Sequence, residues 1–217
     1  MEIEKYIEFG KINAVLNLDS LDFNFREEIH VLRIKPKYKN INYVTHINVK
    51  KYLLEKTSCL EERMLSSLKL VHMEEDILEK KMNVLSTSEK VKVELAVLLI
   101  QNVNCIVFNK FDSYFMEKEL LFFKKLFLKL VKKYKKTFVF VNSDLSFLFD
   151  FVNHLVVKKS KKDYLVLEEP NFYEEELYSI MDCPPIVDFV KYLNEQGKKI
   201  LPYIDLKELL KAIFREV

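Results

Sequence analysis

The sequence predicts an α/β fold: a mostly parallel sheet flanked by helices, with a short helical insertion and a helical C-terminal tail. Three observations lead there. Ile12 to Leu16, Cys105 to Phe108 and Thr137 to Val141 are short apolar runs with the length and composition of buried strands. Helical patterns lie between them, at Lys90 to roughly Ile100 and at Glu117 to Lys136. Beyond Cys183 the pattern is helical only, punctuated by Gly197 and Pro202.

Size and composition agree. The chain has 217 residues, 49% apolar and 31% charged, which suits one folded domain with at most a small appendage. A net charge of +2 is too close to neutral to argue for nucleic acid. Cys59, Cys105 and Cys183 are far apart and form no metal-ligand pattern, as suits a reducing cytosol. The charged N-terminus lacks the apolar core of a signal peptide, and lysines interrupt even Leu120 to Val131. Glycine is the outlier. There are two, Gly10 and Gly197, where average usage would give roughly fifteen. A loop that cradles phosphates needs several, because its backbone N–H groups converge in conformations that a Cβ opposes.

Taken in order, Tyr6 to Lys11 reads as a turn into the first strand, Ile12 to Leu16. Val31 to Val44 looks like two short strands around Pro36 and Asn40. Val49 to Lys81 is mostly helical, with Leu60, Met64, Leu68 and Val71 spaced for one helix face. Leu85-Ser86-Thr87-Ser88-Glu89 opens the next helix, Ser86 and Glu89 forming an S-x-x-E capping box. The strand ending at Phe108 runs into Asn109-Lys110 and a loop holding Asp112 and Met116. In the helix of Glu117 to Lys136, Leu120, Phe123, Phe127, Leu130 and Val131 face one way. Lys118, Lys125, Lys129, Lys132 and Lys133 gather elsewhere; a solvated basic face is the plain reading and an acidic-lipid surface the other. Thr137 to Val141 leads to Asn142-Ser143-Asp144, with Asp144 placed to cap a helix of Leu145 to Phe151. His154 to Lys158 and Tyr164 to Glu168 flank a hairpin turn. Pro185 fits the first turn of a helix that Gly197 ends, and Asp205 begins a last helix. His30, His46, His72 and His154 make no metal-binding grouping.

The order and spacing resemble the ABC-type ATPases. There an LSGGQ or LSGGE signature opens a helix, and four apolar residues then precede Asp-Glu-Pro. The resemblance implies an ABC ATPase-like P-loop NTPase fold over residues 1–169, with a helical subdomain at about 46–84. It also implies which positions would carry chemistry. Laid without a gap, the family's phosphate loop G-x-x-G-x-G-K-[ST] falls on Leu16 to Asn24. Its glycines become Leu16, Asp19 and Leu21, its lysine Asp22, and its Mg²⁺-holding hydroxyl Phe23 or Asn24. Asp22 reverses the charge that meets a polyphosphate. The Mg²⁺-orienting aspartate becomes Asn109, the glutamate that activates water becomes Lys110, and the γ-phosphate histidine becomes Ser143. The dimer-contact aspartate becomes Met116, and no glutamine stands near Thr45-His46, where the glutamine loop belongs. The chain begins close to its first strand, so the adenine-stacking aromatic is expected to be missing. Tyr6 and Tyr43 remain as stacking candidates, though core packing is the plainer role. Signature residues Ser86, Thr87 and Ser88 are candidates for a contact to a nucleotide held by a partner subunit, with helix capping as the plainer role.

The tail, 170–217, with Cys183-Pro184-Pro185, a helix, Gly197, Pro202 and a final Glu-Leu helix, resembles that of energy-coupling factor (ECF) transporter ATPases. There it joins two ATPase subunits. Together these resemblances imply a non-catalytic cassette-like subunit, cytoplasmic and peripheral on the inner face of the membrane. It would pair with a competent ATPase and dock on an ECF-type transmembrane component. No cofactor is expected on this chain, ATP and Mg²⁺ being reached only through the partner, and no resident metal. The alternatives are a genuine ATPase with a remodelled site, dependent on Ser86 or Asp112, and a soluble regulatory module unrelated to transport.

Overall fold

The computed structural model describes residues 5–17, 29–32, 46–149, 151–160, 163–168, 175–200 and 206–216. Among them a sheet runs in the order β2-β3-β4-β1-β5-β6. Its strands are β1 (Ile12–Leu16), β2 (Ile29–Leu32), β3 (Cys105–Asn109), β4 (Thr137–Val141), β5 (His154–Lys158) and β6 (Tyr164–Glu168). The first five in spatial order are parallel, and β6 closes the edge as an antiparallel hairpin with β5. The mostly parallel α/β sheet is therefore as expected.

Strand residues alternate between two faces. Ile12, Ala14, Ile106, Phe108, Phe138, Phe140 and Leu155 point into the main core. Val15, Cys105, Val107, Val139, Val141 and Val156 line the other face, with Ile7 packed against them. The exception to the apolar rule is Asn13, wholly buried in β1. Its Oδ1 accepts the Glu8 N–H at 2.8 Å. Its Nδ2 donates to the carbonyls of Glu8 at 2.9 Å, Lys11 at 3.3 Å and Phe138 at 3.4 Å. These bonds satisfy the amide and fasten the entering turn to β4. That turn needs a left-handed residue, Gly10 at φ +75°.

Helices α1 (Val49–Thr57), α2 (Glu61–Leu70) and α3 (Thr87–Ile100) pack on one another through Leu53, Met64, Leu68 and Val91. Leu60 does not join the expected stripe: it is the N-cap of α2 and 80% exposed. Helix α4 (Glu117–Tyr134) lies across the sheet, burying Phe123, Leu126, Phe127 and Leu130. It stops two residues short of the expected end. Lys135 adopts φ 54°, and Lys136 turns inward. Lys136 is 6% exposed, its ammonium 2.9 Å from the Asn102 carbonyl, 2.8 Å from Asn102 Oδ1, 2.6 Å from the Val103 carbonyl and 3.4 Å from Asn104 Oδ1. Burial holds its ionisation below the ordinary lysine value.

After β4, Asp144 caps α5 (Leu145–Leu148), accepting the Ser146 N–H at 2.7 Å; this helix is shorter than the expected Leu145 to Phe151. Helices α6 (Glu175–Tyr178), α7 (Pro185–Glu195) and α8 (Leu206–Glu216) follow. Pro185 does open α7, and Gly197 follows it at φ +83°. Val190, Ile200 and Leu209 form a small core of the tail's own. Of the two strands expected within Val31 to Val44, β2 begins at Ile29, and positions 33–45 lie outside the described residues. No described helix is long and apolar enough to cross a membrane.

The densest packing is aromatic. Phe111, 1% exposed, meets Phe123 edge-on at 5.3 Å and Phe108 at 4.7 Å between ring centroids. Phe127, Phe138, Phe140 and Phe147 complete the group. Phe111→Ala should cost about 3–5 kcal/mol, since a ring is removed from a site with little room to collapse. Urea unfolding of the variant against the parent measures it.

Candidate functional site

The parallel register brings the carboxyl ends of β3, β4 and β1 side by side, Asn109 level with Val141 and Val141 with Val15. All three strands leave the sheet through a left-handed residue: Lys110 at φ 48°, Asn142 at φ 49° and Asn17 at φ 60°. Asparagine tolerates this conformation; lysine is a costlier occupant. Non-glycine residues held at positive φ concentrate where backbone geometry serves a site. The ladder continues past the strand ends, with Lys110 N–H to the Val141 carbonyl at 2.8 Å and Asn142 N–H to that of Val15 at 2.9 Å.

The sequence-derived positions fall on this edge. Asn109 ends β3, and its Oδ1 is buried without a hydrogen-bond partner. Asp112, in the 3-10 turn Phe111–Tyr114, has an oxygen in the same condition. Lys110 exposes its side chain, and its carbonyl accepts the Ser113 hydroxyl at 2.7 Å. Ser143 is 5% exposed, its Oγ accepting the Phe111 N–H at 3.3 Å, which ties the exits of β3 and β4 together. Leu16 is the last residue of β1, buried and paired with Val157 rather than opening a loop. Asp19, Leu21, Asp22, Phe23 and Asn24 lie outside the described residues, as does Tyr43. Tyr6 packs on Tyr164, ring centroids 5.2 Å apart.

Away from this edge, Ser86 caps α3. Its Oγ accepts the Glu89 N–H at 3.2 Å, and Glu89 Oε2 accepts the Ser86 N–H at 2.7 Å and its hydroxyl at 2.8 Å. The capping box is thus complete and the hydroxyl proton engaged. Thr87 is exposed and Ser88 half-buried, Ser88 Oγ standing 3.1 Å from Ser86 Oγ.

Sequence reasoning did not find the cleft at the ends of β1 and β4. It holds about 560 Å³ and is walled on one side by Ser143 to Ser146 and on the other by Ile180 to Pro185. Asn17 joins the walls, its Nδ2 donating to the Ile180 carbonyl at 3.2 Å. Asp144 and Asp182 are the charged residues among the described lining, with no lysine, arginine or histidine beside them. Such a lining disfavours a polyphosphate, whose charge it would repel. Asn109 offers Mg²⁺ a neutral oxygen where a carboxylate binds best. The described lining of this cleft therefore supplies no cation to pair with a phosphate. The one local hint of the cleft was an asparagine directly after a strand.

A strand order of β2-β3-β4-β1-β5, with helices α1 to α3 between β2 and β3 in the chain, invites comparison with known folds. The CbiO1 protein of Clostridium perfringens, described as part of an ABC transporter complex, superposes with a TM-score of 0.61. The match covers 85% of this chain and 89% of that one at 15% identity. A dimeric ATP-binding cassette bound to ADP and phosphate gives a TM-score of 0.57 over 76% and 88%, also at 15% identity. The fold is that of an ATP-binding cassette. At the sequence level the cassette is 28% identical over 141 residues to the energy-coupling factor transporter ATP-binding protein EcfA1 of Ureaplasma parvum. That stretch is 64% of this chain and 48% of the relative, so the chain matches about half the relative's length. No family model matches. The ABC and ECF resemblance read from the motifs thus recurs in these comparisons, its ECF part over 64% of this chain.

The capping box makes a prediction about acid stability. The Ser86 N–H and hydroxyl both bond to Glu89 and hold its carboxyl below the ordinary glutamate value. A depressed folded pKa means the contribution is fully present above pH ~4.5 and is lost as pH falls through the folded value. Glu89→Gln, which keeps the box geometry, should flatten that part of the profile in urea midpoints taken across the acid range. Ser86→Ala should cost about 0.5–2 kcal/mol at neutral pH.

Proposed function

We propose that this cassette is a non-catalytic subunit of an ECF-type transporter, pairing with a competent ATPase subunit and docking on a transmembrane component. It would sit in the cytoplasm, peripheral on the membrane's inner face. One observation carries the reading. On a cassette fold, the exits of β3 and β4 carry Asn109, Lys110 and Ser143, and these residues are built into the structure. Lys110 extends the ladder and Ser143 receives the Phe111 N–H. An ammonium at the end of β3 cannot take a proton from water, and an amide is a poor anchor for Mg²⁺.

Pairing draws support from the tail. Phe189 and Tyr192 of α7 and Leu210 and Phe214 of α8 are between 46% and 81% exposed. Large apolar residues left uncovered on two neighbouring helices suit a protein partner. On this reading residues 1–169 form the cassette, the helices between 46 and 84 its helical subdomain, and 170–217 the dimerisation tail. A nucleotide would be held by the partner's phosphate loop, with Ser86 as the residue on this chain placed to approach it.

Calorimetric titration of Mg-ATP into the folded chain tests this. The expected outcome is no binding up to millimolar nucleotide and no phosphate release. Micromolar binding, or hydrolysis abolished by Asp112→Asn, would establish a remodelled ATPase instead. A second outcome is sharper. Asn109→Asp combined with Lys110→Glu should remain inactive, because Asp19, Leu21 and Asp22 still stand where the phosphate loop needs glycine and lysine.

A further inference from the structure

The outer face of α4 has no role in that proposal, and it is unusual in composition. At 100° per residue, Leu121, Lys125, Leu128 and Lys132 fall within an arc of about 60° at the centre of the solvent side. Their 4-3-4 spacing makes a single row along the helix. Leu121 is 49% exposed and Leu128 43%. Lys118 and Lys129 lie along one side of the row, and both are exposed. Among the described residues, Lys118, Lys125, Lys129 and Lys132 make no ion pair. The acids of α4, Glu117 and Glu119, stand in its first turn, and Glu119 is held by Lys92 of α3 at 2.7 Å.

The helix needs none of these residues for packing, since Phe123, Leu126, Phe127 and Leu130 anchor it to the sheet. Leucine at every second place of an exposed row costs solubility unless something covers it. The occupant must be anionic, to meet four unpaired ammonium groups, and must accept branched alkyl groups between them. A nucleic acid backbone meets the first requirement but offers leucine nothing. We propose that this face rests on an anionic lipid bilayer. Its two leucines enter the headgroup boundary, and the lysine stems follow them while their ammonium groups stay with lipid phosphates. The surface would act on the chain alone, independently of any transporter partner.

Co-sedimentation of the full chain with phosphatidylcholine vesicles, with and without phosphatidylglycerol, tests it. Binding is expected with the anionic lipid only, and added salt should release it. Lys125→Glu with Lys132→Glu should lower the partition about tenfold or more. Leu121→Ser with Leu128→Ser should lower it about fivefold. Circular dichroism melts of both pairs should match the parent, because the row lies outside the core. Absence of vesicle binding, or a partition unchanged by either pair, overturns the proposal. So does retention of DNA at a salt concentration where vesicles are not bound. Failure of the transporter reading leaves these vesicle measurements unaffected.

Discussion

The burial of Phe111 sets the geometry of the carboxyl edge. Its ring sits among Phe108, Phe123, Phe127 and Phe140, and such a group gains both area and favourable edge-to-face contacts. To deliver that ring, the chain must turn inward one residue after β3. Lys110 therefore takes a left-handed conformation, and its N–H bonds to β4 rather than facing a ligand. The next N–H has nowhere to go except the Ser143 hydroxyl. Of the positions to which the resemblance assigns chemistry, Lys110 through its backbone N–H and Ser143 through its hydroxyl hold two strand ends together.

Polar groups in the interior follow a similar logic. Asn13 and Lys136 are both buried in a mostly apolar interior; the Asn13 amide donates to backbone carbonyls, and the Lys136 ammonium meets two backbone carbonyls and two asparagine side-chain oxygens. Each joins segments distant in sequence: Asn13 the first turn to β4, Lys136 the loop before β3 to the start of β4. A buried ammonium among four oxygens and no carboxylate keeps its hydrogen bonds at the expense of its hydration. Asn109 and Asp112, by contrast, leave buried oxygens unmatched at the one edge where the fold would place a ligand.

Much of this was legible from local pattern. The strands at Ile12, Cys105 and Thr137 announce themselves because a parallel strand is buried on both faces and reads as an unbroken apolar run. The Ser86–Glu89 box is readable because both halves lie within one helical turn. Leu60 misled, since a spacing of four cannot distinguish a helix residue from the cap before it. Lys136 misled because its partners, Asn102 to Asn104, are set by tertiary contact and leave no trace beside it in the sequence. The cleft was invisible for the same reason, its walls being joined by Asn17 and Ile180. The resemblance singled out Lys110 and Ser143, but their structural tasks appear only once the Phe111 ring has a place.

The strand order has a consequence for how this chain comes into being. The first described strand, β1, is paired in the finished sheet with β4 and β5, its Ala14 level with Phe140 and Leu155. Neither neighbour exists until the whole stretch from Asn17 to Lys136 has been made. Until then this apolar strand has two open edges, and contacts of such long sequence separation form slowly. The early helices α1 to α3 can pair among themselves as they emerge. Strands β2, β3 and β4 can pair before β5 exists, so β1 is the strand that waits longest, gaining one neighbour with β4 and the other with β5.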